Sequence, residues 1–150
     1  MNWLVFLHVL AMFIGFAFTT GSGIALGFAL ESNDIGFIRG ASGANRRLGM
    51  VGGISLIIGL ILGFAVAGQM GLPMTATWLV VTYVCVVILL ILGFGVLMPY
   101  VARVSAAADA SGSQVSPELK ALLAQPTVRI AGPIAGLMWI IIIAMMALRP

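Results

Sequence analysis

Residues 78–100 read WLVVTYVCVVILLILGFGVLMPY, a run without a charged side chain that opens on a tryptophan and closes on a tyrosine. The hydrocarbon core of a bilayer is about 30 Å thick and a helix rises about 1.5 Å per residue, so about 20 apolar residues cross it. This run is long enough, and its unbroken Val, Ile and Leu leave no polar face for water. Three further runs, at 3–30, 48–69 and 128–148, meet the same test. The four consume most of the 150 residues, of which 62% are hydrophobic and 7% charged, with a mean hydropathy of +1.22. The sequence therefore predicts an all-α chain, a four-helix transmembrane bundle with short loops. It forms one integral membrane domain over 1–150, and the lipid bilayer is its first partner.

The basic residues sit where membrane topology places them, so the net charge of +3 does not argue for nucleic-acid binding. Arg39, Arg46 and Arg47 fall between the first two runs, Arg103, Lys120 and Arg129 around the third connection, none in the second, and Arg149 at the tail. The positive-inside rule puts the first and third connections in the cytoplasm of a bacterial inner membrane and both termini outside. Arg46 and Arg47 then either set topology or bind anionic lipid. The first run has no basic leader and no small-residue cleavage pattern, which predicts a retained helix and not a removed signal. Cys85, the one cysteine, lies within the third run and reads as a small packing residue.

The connections differ in character. Residues 31–47 carry Gly36, Gly40 and Gly43 with Asn33, Asp34 and Asn45, which predicts a turn-rich linker. The second connection, 68–76, is brief, so the second and third helices should form the firmest antiparallel pair. In the third, 101–127, Ser116-Pro117-Glu118 reads as an N-cap, an N1 proline and an acidic first turn. A short interfacial helix should follow, with Leu119, Leu122 and Leu123 on the bilayer or the bundle, until Pro126 ends it. The small polar stretch 105–113 should be the most mobile part. Pro133 should kink the fourth helix.

Small residues recur on helical faces: Gly15, Thr19 and Gly23 in the first helix, Gly52, Ser55, Gly59 and Gly63 in the second, Gly132 and Gly136 in the fourth. Lipid tails are as apolar as leucine, so close backbone approach at such stripes carries helix association in a membrane. The stripes serve packing within the chain or a face for a second copy. No Asp, Glu, Lys or Arg falls in a spanning core and no pair of broken helices is evident, which places a coupled transporter third among the functions considered.

His8 shares one face with Ala11, Met12, Gly15, Thr19 and Gly23. A neutral imidazole there can ligate haem iron, with Met145 or Met146 at matching depth as second ligand and Gln69, Thr82 and Tyr83 nearby. Met50 and Met98 belong to the opposite face of the membrane, and Arg149 is the one cation placed to meet haem propionates. Alternatively, His8 hydrogen-bonds a neighbouring helix. A lone His with a lone Cys makes no copper or zinc cage, so no metal site is expected. Trp3 and Trp78 fit the outer interface and Tyr100 the inner one. Trp139, at mid-span, needs a partner for its indole: another subunit, a buried cofactor or a lipid-side compromise.

Leu7-His8-Val9-Leu10-Ala11 followed by Gly15, the 78–93 run, Ser116-Pro117-Glu118-Leu119 and the closing Met146-Ala147-Leu148-Arg149-Pro150 together resemble a family of small bacterial integral membrane proteins of unknown function. The first helix alone is distantly similar to the copper-resistance D proteins and the membrane protoporphyrinogen oxidase class, which share a first-helix histidine followed by glycine. The latter resemblance implies haem at His8. That class also uses a membrane-embedded lysine in a later helix, where this sequence has none, and the copper proteins imply more ligands than one histidine. The residues taken together predict first a non-catalytic accessory, structural or assembly subunit, joined to other membrane subunits or to its own copies. The alternative is a b-type haem protein of electron transfer or porphyrin oxidation.

Overall fold

The computed structural model describes residues 3–148. It is an all-α bundle with four helices long and apolar enough to span a membrane. Helix α1 covers Trp3–Ser32 and α2 Ile35–Gln69; α3, Thr77–Leu90, runs through a π-helical segment, Ile91–Leu97, into α4, Met98–Ala110. The short α5, Pro117–Leu123, precedes α6, Thr127–Leu148. Trp3 and Leu148 lie at one end of the bundle, and the arginine-bearing connections lie at the other.

The expected linker at 31–47 is a correction: almost all of it is helix. Only Asn33, at φ 55°, breaks the chain, and Asp34 caps α2 by accepting hydrogen bonds from the Gly36 and Phe37 amides at 2.8 and 3.1 Å. The glycines and asparagine of this stretch favour turns, but Ile38 and Ala41 are buried in a cluster shared with α4, and that packing overrides local preference. The same holds for 105–113, whose first residues complete α4 with Ala107 and Ala108 buried. The short helix forms as predicted, with Ser116 accepting from the Leu119 amide at 3.2 Å. Leu119 is fully buried and Leu122 and Leu123 lie against the same core, so α5 rests on the bundle.

The second correction concerns pairing. Helices α2 and α3 touch little; the tight pair is α1 with α2, while α3 packs on α6 and α4 returns to α2. A short connection fixes only where two helices start, whereas small residues decide where backbones can meet. A Cβ at Gly52 would stand 2.7 Å from Thr19 Cγ2 and 3.2 Å from the Gly15 carbonyl, and one at Gly15 3.0 Å from Leu56 Cγ. One at Gly59 would stand 2.6 Å from Met12 Sδ. Polar contacts follow the seam, with Thr19 donating to the Gly15 carbonyl at 2.7 Å and Asn45 to Ser22 at 3.1 Å. The bundle is thus two helix pairs, α1/α2 and α3/α6, facing each other across a cleft.

The cleft is closed at two levels. At mid-span Leu56, Cys85, Val86, Leu89, Trp139 and Ile142 form a small core with Met12 and Phe16 against it. At the arginine-rich end a denser cluster joins Leu26, Ala29, Ile38 and Ala41 of α1 and α2 to Tyr100, Val101, Val104, Ala108 and Leu119. Helix α1 is about 45 Å long, half as long again as a hydrocarbon core, and the interface position that the sequence predicts for Trp3 would put its last turns, with the cluster they build, beyond the hydrocarbon. Arg39 crosses to the end of α4, donating from Nε to the Ala108 carbonyl at 3.0 Å and from its terminal nitrogen to the Ser111 and Gly112 carbonyls, with Asp109 3.8 Å away. It satisfies carbonyls that a helix C-terminus leaves open. Tyr100 donates to the Leu122 carbonyl at 3.1 Å and ties α4 to α5, while Glu31 and Arg129 form an exposed pair at 3.9 Å.

Candidate functional site

Between these two closures, and between the mid-span core and the tryptophan-bearing end, the cleft opens into two cavities of 320 and 560 Å³. Both fall in or near the range of small-molecule sites. The larger one is built by all four spanning helices. Helix α1 contributes His8, Met12 and Phe16 at steps of four, α2 Gly63 and Ala67, α3 Trp78, Thr82, Tyr83 and Val86, and α6 Trp139, Ile142 and Met146.

His8 is held, not loose. Its Nδ1 stands 2.8 Å from the Gly59 carbonyl, and its ring lies over Gly63, where a Cβ would come 3.0 Å from Cε1. A carbonyl only accepts, so Nδ1 carries the proton, and Nε2 is the nitrogen left to offer a lone pair to a ligand. Nε2 makes no hydrogen bond among the described residues. This is the arrangement found behind ligating histidines, where the second ring nitrogen donates to a carbonyl that fixes tautomer and orientation. Both alternatives read from the sequence, a helix-bonded histidine and a ligand, are therefore compatible in one side chain.

Met146 shares the cavity with His8, whereas Met145 is half-buried and does not line it. Thr82 is buried with its hydroxyl donating back to the Trp78 carbonyl at 2.8 Å, and Tyr83 stacks on Phe64 at 4.4 Å between ring centres. Arg149 lies outside the described residues. Among the described residues no three of His, Cys, Asp or Glu gather as metal ligands. The cavity's chemistry is one imidazole, the thioethers of Met12, Met70 and Met146 and the hydroxyls of Thr82 and Tyr83 in an apolar, aromatic chamber.

Trp139 lines both cavities and meets Phe16 edge to face, 5.1 Å between ring centres at 76°. Its contact is inside the bundle, and the ring forms the partition between the two chambers. The smaller cavity runs from there toward the arginine-rich end. Gly23, Gly132 and Gly136 line it; a Cβ at any of these would meet nothing within 4 Å, so they face space and not a neighbouring helix. Arg46 is exposed on its wall, and Arg47 is exposed beside it.

The π segment borders this smaller cavity through Leu92, Gly93, Phe94 and Leu97. The Met98 amide donates to the Gly93 carbonyl, five residues back, and Pro99 follows without an amide proton and with a ring that crowds the carbonyl of Gly95. Gly93, Gly95 and Pro99 were the available sequence signal for this widening. Neither cavity has such a signal, because each is a gap between helix pairs whose spacing no single helix encodes. Comparison of the chain with protein-family profiles, with characterised proteins and with solved structures yields no match.

Proposed function

We propose that this membrane protein binds b-type haem in the cavity of His8, where Nε2 of His8 and the thioether of Met146 would hold the iron, in the service of electron transfer or porphyrin chemistry. The observation that carries this reading is the His8 Nδ1 bond to the Gly59 carbonyl in the wall of a 560 Å³ chamber. It presets the tautomer and direction a ligating imidazole needs. The resemblance of the first helix to the membrane protoporphyrinogen oxidase class implies the same residue. Met146 lines the chamber and Met145 does not, which favours Met146 between the two. Bound haem would supply a one-electron couple, and a His/Met pair favours a high potential. The chain's own part is to fix the imidazole and to exclude water with Trp78, Trp139 and Ile142. Placed in a bacterial inner membrane with the arginine-rich end in the cytoplasm, the chamber lies in the outer leaflet.

The test is the reduced-minus-oxidised absorption spectrum of protein gently extracted from haem-replete cells. A sharp band is expected, lost in His8→Ala and shifted in Met146→Leu. Colourless protein with intact helicity would overturn the reading.

A second reading, the non-catalytic accessory or assembly subunit, is favoured by one observation. Helices α1 and α6 touch little beyond Phe16 and Trp139, so the cleft is open along that seam, where a further membrane helix can pack. Gentle extraction that returns a monomer with no companion would count against it.

A further inference from the structure

The smaller cavity has a direction. Arg46 stands at one end and Leu56 and Trp139 at the other; along α2, Arg46 and Leu56 are about 15 Å apart, half the thickness of a hydrocarbon core. That is the depth of one leaflet. Between the ends the wall is apolar, and Gly23, Gly93, Gly132 and Gly136 line it at positions where an added Cβ would meet nothing within 4 Å. Packing against a neighbour does not account for glycine there, whereas any larger side chain would fill the space. At the charged end Ser22 and Asn45 add polar groups, Thr19 lies deeper, beside Gly52, with its hydroxyl donated back to the Gly15 carbonyl, no acidic side chain lines the cavity, and Arg46 has no ion pair among the described residues.

We propose that this cavity holds one acyl chain of an anionic phospholipid drawn from the leaflet at the arginine-rich end, with the lipid phosphate on Arg46. The geometry matches such a lipid in length, in polarity along the cavity and in charge at its mouth. A guanidinium donates two parallel hydrogen bonds to phosphate oxygens, which distinguishes an anionic headgroup from a zwitterionic one whose own cation competes. The assignment is independent of what His8 binds, because the Phe16–Trp139 pair separates the two chambers.

The test is native mass spectrometry of the full chain equilibrated with equal amounts of dioleoyl phosphatidylglycerol and dioleoyl phosphatidylcholine. One retained phosphatidylglycerol is expected, favoured about tenfold, the scale of one charge-assisted contact. Arg46→Gln should bring the two lipids to parity, and Gly136→Leu, filling the chamber, should remove both. Equal retention of the two lipids by the unaltered protein would overturn the proposal, as would a phosphatidylglycerol preference that survives Arg46→Gln. Displacement of the lipid by a stoichiometric amount of oleate would overturn it in favour of a free fatty acid. Should Gly136→Leu lose its helical circular dichroism, the Arg46→Gln comparison decides alone.

Discussion

The cluster at the arginine-rich end and the spanning part of the bundle hold their helices together in different ways. In the cluster, which the predicted interface position of Trp3 puts in water, Ala29, Ile38, Val104, Ala108 and Leu119 have no exposed surface, and polar ties from Arg39 and Tyr100 close the gaps. Within the span, one thin core around Leu56, Val86 and Trp139 separates two cavities. Water explains the contrast. Each Å² of apolar surface removed from it contributes about 25 cal/mol, so an aqueous core closes up. Lipid tails give no such drive, and helices there meet only where small residues permit. A membrane bundle can therefore keep chambers that a water-soluble core of this size would collapse, provided that some other region clamps the helices together. Here the clamp is the cluster at one end.

That division can be broken by substitution. Ile38→Ala, which removes a fully buried side chain from the clamp, should cost about 2–5 kcal/mol; thermal unfolding in mild detergent, followed by circular dichroism, reads the loss. A melting temperature unchanged by Ile38→Ala would show that the span, not the clamp, holds the fold. Within the span two glycines should respond with opposite sign. Gly52→Ala forces a methyl toward Thr19 and the Gly15 carbonyl and should destabilise by about 1–3 kcal/mol. Gly136→Ala, facing open space, should gain up to about 1 kcal/mol from helix propensity. Equal effects of the two would mean that the cleft closes in solution. The smallest change is Glu31→Gln, which unpairs an exposed Arg129 and should move stability by less than about 0.5 kcal/mol, with the remainder vanishing in high salt.

The spanning helices were legible from sequence because a bilayer demands the same apolar length of every segment that crosses it. The ends of those helices were not. At 31–47 a reader sees Gly36, Gly40, Gly43 and Asn45 and expects turns, whereas the outcome rests on Ile38 and Ala41 finding Val101 and Val104, sixty or more positions away. The pairing of α1 with α2 was written in Gly15, Gly52 and Gly59, though Gly23, Gly132 and Gly136 look identical in sequence and line a cavity instead. Small residues announce that something comes close; whether it is a helix or an empty chamber depends on the partner. His8 was identifiable as the one imidazole, yet its bond to Gly59 requires the register between α1 and α2, which periodicity in either helix does not supply.

The π segment at Ile91–Leu97 has a rotational consequence. One residue of an α-helix turns the chain by about 100°, so accommodating an additional residue within a turn rotates everything that follows relative to everything before. Upstream, α3 presents its contact face to α6; downstream, α4 presents its own to α2. A straight α-helix with a single unbroken stripe serves one neighbour along its length. The widened turn before Pro99 shifts the stripe's angular phase, and so one continuous rod changes partners halfway, linking the two helix pairs without a loop.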